Sequence, residues 1–242
     1  MNLIIDVGNT LVKFAIFEKD NLIWRESFKL SQFKKEYKLL KKKFPELKSA
    51  IVSSVGRLSD KQIDLIEADF NVLELNSNTK VPFVNKYKTP ETLGVDRIAL
   101  VCASMLKYSE NNVLIIDAGT CITYDFITYK NEYLGGAISP GLRLRYKSLN
   151  NLTANLPLLE TKVPKNIVGA STETSIHSGV VLGTVNEIDG VINTYKEKYS
   201  DLTVILTGGD AKMLSKQLKS SIFANSDFLL EGLNYILEFN SK

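Results

Sequence analysis

The sequence predicts an α/β protein with mixed sheets flanked by helices, built from two related halves. Three observations carry that reading. First, two segments echo each other: Asn2-Leu3-Ile4-Ile5-Asp6-Val7-Gly8-Asn9-Thr10 and Val113-Leu114-Ile115-Ile116-Asp117-Ala118-Gly119-Thr120. Each is a short apolar run, the mark of a buried strand, ending in an acidic residue and a Gly/Thr turn. Second, each leads into another strand-like stretch, Leu11 to Phe17 and Ile122 to Thr128, making a β-hairpin with a carboxylate at its bend. Third, helix-like and strand-like segments alternate beyond each hairpin, the pattern of an α/β chain. A strand running into Asp-Gly is common wherever a strand meets a turn. Matching strands that both continue into Asp, Gly and Thr favour duplication over chance.

In the first half, Leu30, Phe33, Tyr37, Leu40 and Phe44 recur at helical spacing and predict a helix over Ser31 to Phe44. Ala50 to Val55 reads as a strand, Ser59 to Ala68 as a helix, and Phe70 to Leu75 as a strand. Pro90 to Lys107 reads as one helix, capped by Thr89 with Pro90 in the first turn. In the second half, Tyr133 to Ile138 extends the strand set until Pro140-Gly141 breaks it. Leu142 to Leu152 predicts a helix, and a longer one spans Thr172 to Tyr199 despite Gly179, Gly183 and Gly190. Leu202 to Leu206 is a strand, Asp210 to Leu218 a helix, Ser221 to Ala224 a last strand and Phe228 to Phe239 a terminal amphipathic helix. Lys34, Lys35, Lys38, Lys41, Lys42 and Lys43 read as a solvated helix face. Val191, Ile192 and Tyr195 fit either core or a subunit interface.

Composition excludes several function classes. At 242 residues, 44% hydrophobic and 24% charged, the chain is ordinary globular protein, long enough for one large domain or two small ones. Its formal charge of +3 gives no case for nucleic acid or a membrane surface as partner. Cys102 and Cys121 make neither a disulfide framework nor a zinc motif. The first residues lack a signal peptide's basic region and long apolar core, and no apolar run approaches the ~20 residues that span a bilayer, so a cytoplasmic protein is expected. The lone His177 excludes multi-histidine metal sites and is given no role. The sequon Asn151-Leu152-Thr153 reads as part of a helix or loop.

Several motifs have chemical content. In Asp6-Val7-Gly8-Asn9-Thr10, glycine lets the main chain approach a phosphate, the carboxylate can hold Mg²⁺ through water, and Lys13 offers a cation. Alone, this segment is equally a tight hairpin with a capping Asp. Asp117-Ala118-Gly119-Thr120 strengthens the phosphate reading, because two such turns across a cleft would clamp a nucleotide's β- and γ-phosphates. Thr207-Gly208-Gly209-Asp210, between a strand and a helix, suits a third contact through bare backbone. No P-loop pattern is present. In Gly94-Val95-Asp96-Arg97, Asp96 can take a proton from an alcohol while the Arg97 fork grips a carboxylate; a solvated acid–base pair is the plainer reading. Gly94 inside a helix suggests that something approaches closely. Gly135-Gly136-Ala137-Ile138-Ser139-Pro140-Gly141 is either a plain turn or a loop lining a cleft, and Ser171-Thr172 either a helix cap or a substrate contact.

Together these residues resemble the type III pantothenate kinases of bacteria, in the actin-like ATPase and sugar kinase superfamily. The resemblance runs along nearly the whole chain. It takes in Asp6 to Thr10, Tyr87-Lys88-Thr89-Pro90 leading into Gly94 to Arg97, and Asp117 to Thr120 with Thr123 and Asp125. Gly135 to Gly141, Ser171-Thr172 and Thr207-Gly208-Gly209 complete it. It implies two ribonuclease H-like domains, over 1–111 and 112–242, with ATP in the cleft between them, and a homodimer. It also implies transfer of the γ-phosphate of ATP to the primary hydroxyl of pantothenate, giving 4'-phosphopantothenate on the route to coenzyme A. Mg²⁺ and a monovalent cation, K⁺ or ammonium, are implied with it. Carried over residue by residue, Asp6, Val7, Gly8, Asn9, Thr10, Leu11, Val12, Lys13 and Thr120 contact ATP, and Asp117 binds the monovalent cation. Asp96 is the base, and Tyr87, Gly94, Val95, Asp96, Arg97 and Thr172 hold pantothenate. Cys121 stands where the family more often has alanine, and Val55-Gly56-Arg57 replaces its more usual Val-Pro-like ending. Two other readings are a non-catalytic nucleotide-binding module and a kinase of the same superfamily with another substrate, because fold and ATP motifs alone do not fix the acceptor.

Overall fold

A computed structural model describes residues 1–54 and 58–241; the departure at Val55-Gly56-Arg57 lies outside the described residues. The chain forms two compact units, Met1–Ser109 with the segment from Asp227 onward, and Glu110–Ser226.

In the first unit, β1 (Asn2–Val7), β2 (Val12–Glu18) and β3 (Asn21–Phe28) precede α1 (Phe33–Lys43), β4 (Ser49–Ser54), α2 (Asp60–Glu67) and β5 (Asn71–Glu74). A two-residue strand β6 (Val84–Asn85) leads to α3 (Val95–Tyr108). The sheet runs β3-β2-β1-β4-β5, antiparallel through β3, β2 and β1 and parallel from β1 through β5. Alternate residues of β1 and β2 (Leu3, Ile5, Phe14, Ile16) pack with Phe33 and Leu40 of α1 into one core. Phe14 meets the rings of Phe28 and Phe33 edge-on, with centroids 4.7 and 5.5 Å away. Most α1 lysines are exposed; Lys35 pairs with Glu36, Lys41 with Asp69, and Lys43 lies over the Trp24 ring.

The second unit holds β7 (Asn112–Ala118), β8 (Cys121–Ile127), β9 (Glu132–Pro140), α4 (Leu142–Asn151), α5 (Thr172–His177), α6 (Gly183–Lys198), β10 (Leu202–Thr207), α7 (Ala211–Leu214) and β11 (Phe223–Ala224). Its strands follow the order β9-β8-β7-β10-β11 with the same antiparallel and parallel pairings. That order matches the first unit strand for strand, so the echo in sequence is an echo in topology. Leu114, Ile116, Ile122, Tyr124 and Phe126 face α5 and α6 in its core. Ile192 is buried there, and Val191 and Tyr195 pack against the same cluster, which makes all three core. The chain passes from α5 to α6 through a wider turn at Ser178–Leu182, and Gly179, Gly183 and Gly190 leave the helical path intact. His177 is buried with its Nδ1 2.7 Å from the Tyr146 hydroxyl, a packed histidine.

The terminal helix α8 (Phe228–Asn240) belongs with the first unit, whereas sequence order alone grouped it with 112–242. Its apolar face needs a partner, and the side of β1 turned away from α1, together with α3, supplies one. Gly232 lies flush on α3: a Cβ there would stand 1.9 Å from the Ala99 carbonyl oxygen. The buried Asn234 donates to the Lys19 carbonyl at 2.9 Å and accepts from Asn2 Nδ2 at 2.9 Å, tying α8 to both ends of the first hairpin. No helix among the described residues is long and apolar enough to cross a membrane.

Candidate active site

In the first unit, Asp6 is the penultimate residue of β1 and is 3% exposed. Cross-strand register places Lys13 of β2 on one side of it and Ser53 of β4 on the other. These three side chains therefore share one face of the sheet. Lys13 Nζ lies 3.3 Å from Asp6 Oδ2. The hairpin loop closes where the Gly8 amide donates to the Leu11 carbonyl at 3.1 Å, leaving Asn9, Thr10 and Leu11 exposed at the tip. A Cβ on Gly8 would sit 3.3 Å from that carbonyl, so the turn is tight enough to favour glycine.

The segment expected to be one helix from Pro90 is a short 3₁₀ turn over Pro90–Thr92 followed by α3, with Gly94 as the N-cap. Gly94 is thus at a helix start, not an interior, and what approaches it is a neighbouring side chain. A Cβ on Gly94 would meet Asp96 Oδ1 at 2.5 Å. The carboxylate folds back over the helix start and accepts the Arg97 amide at 2.8 Å. Arg97 is buried, with its guanidinium carbon 5.5 Å from the centre of the Tyr87 ring. Burial raises the Asp6 carboxyl above the ordinary carboxylate range, Lys13 pulls it back, and the Asp96 charge adds to the rise. Asp6 to Lys13, Tyr87 and Gly94 to Arg97 all belong to this unit, and a phosphate-type motif and an acid–base pair share one electrostatic environment.

The second unit repeats the arrangement with different side chains. Asp117, the penultimate residue of β7, is flanked in register by Thr123 of β8 and Thr207 of β10. Backbone crowds this carboxylate: Gly208, at φ +96°, lies where a Cβ would come within 2.3 Å of Asp117 Oδ1. Asp210 closes the turn by donating its amide to the Ala118 carbonyl at 3.0 Å, and burial raises its carboxyl. Thr120 sits exposed at the hairpin tip, and its carbonyl accepts the Gly141 amide at 3.0 Å. Thr172 is exposed in the first turn of α5, while Ser171 is the cap, accepting the Thr174 amide at 3.2 Å.

The glycines of Gly135-Gly136 are strand, not bend. Gly136 lies against β8 so closely that a Cβ would fall 1.6 Å from the Tyr124 carbonyl oxygen, and Gly135 takes φ +99° at a register shift. A network that the sequence reading missed holds the end of β9. Arg145 of α4 donates to the Pro140 carbonyl at 2.8 Å and pairs with Glu187, which also accepts the Tyr124 hydroxyl at 2.9 Å. Burial pushes the Glu187 carboxyl up, but these donors outweigh it and leave it below its ordinary value.

A model of the family described as type III pantothenate kinase matches residues 2–194. A type III pantothenate kinase of Christiangramia forsetii is 51% identical over 240 residues, covering 99% of each chain. One of Flavobacterium johnsoniae is 47% identical, covering 99% of this chain and 98% of its own. The chain belongs to the type III pantothenate kinase family.

Solved structures extend the likeness at the level of fold. A Campylobacter jejuni protein ascribed to a Baf family of transcriptional activators superposes with a TM-score of 0.66 at 21% identity, covering 99% of this chain and 98% of its own. An inorganic polyphosphate/ATP-glucomannokinase of Arthrobacter superposes with a TM-score of 0.52 at 15% identity, covering 99% of this chain and all of its own. The kinase family implies ATP and a divalent metal. No cluster of three or more His, Cys, Asp and Glu among the described residues forms a protein-only metal cage. That fits Mg²⁺, which one or two carboxylates and the nucleotide's own phosphates usually hold. Around Asp117, the buried Thr123 hydroxyl has no hydrogen-bond partner and the backbone is within reach, an oxygen-rich setting that fits a hard monovalent cation. Sequence reasoning assigned no role to Ser53 or to the Thr123 hydroxyl. The signal for both is the strand register, which puts each hydroxyl directly beside a motif aspartate.

Proposed function

We propose that the chain transfers the γ-phosphate of ATP to the hydroxyl of pantothenate, giving 4'-phosphopantothenate in coenzyme A biosynthesis, through the residues described above. The observation that carries the residue assignments is that one unit holds both the Asp6–Lys13 hairpin and the start of α3, where the Arg97 amide fixes the Asp96 carboxylate. Phosphoryl transfer asks mainly for positioning and charge neutralisation. Residues Asp6 to Lys13 form the phosphate-facing hairpin, with Lys13 supplying the cation and the glycine turn exposing backbone. Asp6 would hold Mg²⁺ through water, and the bound ion would supply charge neutralisation at the phosphates. Asp117 would hold K⁺ or ammonium, and Thr120 of the second unit contacts the nucleotide.

Asp96 Oδ1 is engaged by the Arg97 amide, which fixes the carboxylate and assigns Oδ2 to the alcohol proton. Arg97, braced on the Tyr87 ring, offers a fork to the pantothenate carboxylate, and Thr172 of the second unit is a further pantothenate contact. The working protein is a homodimer in the cytoplasm, with neither nucleic acid nor membrane as partner.

ATP consumption measured across pantothenate and other small hydroxy-acids, with Mg²⁺ and K⁺ or ammonium present, tests this reading. Consumption that rises only with pantothenate is the expected result. Equal consumption with other acceptors points to a different substrate, and ATP binding without transfer to any of them points to a regulatory module.

A further inference from the structure

The mechanism leaves one buried polar group near Asp6 unused. Ser53 is fully buried, and its hydroxyl is among the buried side-chain atoms with no hydrogen-bond partner. An unmade hydrogen bond of this kind is costly, and alanine would fit the same strand position without that cost. The preceding residues of β4, Ala50, Ile51 and Val52, are all apolar and buried. Ser53 is the parallel-register partner of Asp6, on the same face and one strand spacing away, about 4.8 Å between backbones. On the other side, Lys13 occupies Asp6 Oδ2. The same row in the second unit is Thr123–Asp117–Thr207, so a hydroxyl at the β4-type position recurs where no lysine is present.

We propose that Ser53 is a positioning residue for Asp6: its hydroxyl donates to the Asp6 carboxylate once Lys13 turns from that carboxylate to the nucleotide phosphates. Lys13 is 38% exposed in its side chain and free to swing outward, whereas Asp6 is buried and would be left without a donor. A rotation about χ1 of Ser53 replaces the lost contact and holds the carboxylate in its place on the sheet. No bond to carbon or phosphorus is made or broken in this exchange of one hydrogen bond for another. The inference rests on the nucleotide-binding role proposed above for Asp6 and Lys13.

Calorimetric titration of Ser53→Ala with MgATP and, separately, with pantothenate tests it. The expected result is an MgATP Kd raised about tenfold, the scale of one lost hydrogen bond to a charged group. The pantothenate Kd should stay within about twofold, and the ligand-free protein should melt no lower than wild type. Ser53→Thr keeps the hydroxyl and should restore MgATP binding. If its extra methyl prevents folding, the split between the two ligands in Ser53→Ala decides alone. An unchanged MgATP Kd, or equal weakening of both ligands, overturns the assignment. Wild-type protein that binds no MgATP overturns the functional reading and this inference with it.

Discussion

Asp6, the proposed phosphate-facing carboxylate, is where stability and the proposed function pull apart. Its carboxyl titrates above 3.8 in the folded chain, because burial and the Asp96 charge outweigh the pull of Lys13. A carboxyl with a raised folded pKa favours the fold while protonated. That contribution is complete below the unfolded value and is lost as pH rises through the folded one. At pH 7 the ionised group therefore works against the fold. Asp6→Asn should melt higher than wild type at pH 7 without ligand, with the gain shrinking as pH falls toward 4, while ATP-dependent turnover is lost. Thermal melts across that pH range check the sign; a variant less stable at pH 7 than at pH 4, each relative to wild type, would contradict it. Arg97→Ala should raise the KM for pantothenate at least about tenfold, since a buried charged contact is removed, and leave the KM for ATP nearly unchanged. Steady-state kinetics with each substrate varied in turn separates these; equal rises in both constants would remove the Arg97 assignment.

At the scale of elements, backbone packing sets limits that side-chain patterns do not reveal. The two hairpins were legible because apolar runs ending in Asp, Gly and Thr are local signals, and they appear as β1–β2 and β7–β8. The edge strand β3 was not read: Arg25, Glu26 and Ser27 stand exposed, so its hydrophobic alternation is broken. The start of α3 was misplaced for a different reason. Pro90 is a good first-turn residue for a 3₁₀ turn as well as an α-helix, and only the tertiary path separates them. The strand over Tyr133 to Ile138 was legible although the glycine motif also allowed a turn or loop; within β9, Gly136 serves close strand approach. Gly136→Ala would force its Cβ into the Tyr124 carbonyl and should destabilise by about 1–3 kcal/mol or more, as overpacking does. For a chain of this size each kcal/mol lowers Tm by about 2–4 °C, which differential scanning calorimetry resolves. A melt unchanged from wild type would mean that β8 and β9 are not held so closely.

For the whole molecule, duplication is the organising fact. Both units order their strands alike and put an aspartate at the penultimate position of the first strand, yet they arm it differently. Lys13 and Ser53 flank Asp6, and Thr123 and Thr207 flank Asp117. The candidate site was legible in the motifs themselves, but the flanking hydroxyls come from strands distant in sequence and only register reveals them. The return of α8 to the first unit was equally beyond a local reading, because an amphipathic helix does not declare which apolar face it will cover. A chain ending at Ser226 should therefore lose the cooperative unfolding of its first unit, exposing the side of β1 that α8 buries; a full-size native melt from that truncation would contradict the assignment.

The most direct test is Asp96→Asn, assayed for phosphate transfer from ATP to pantothenate and, in the same preparation, for binding of each substrate. The account predicts turnover reduced about 10²–10⁴-fold, the usual contribution of a positioned general base, with both substrates still bound and the melting temperature close to wild type. Turnover within a few-fold of wild type would show that the proton leaves by another route and that Asp96 is not the base.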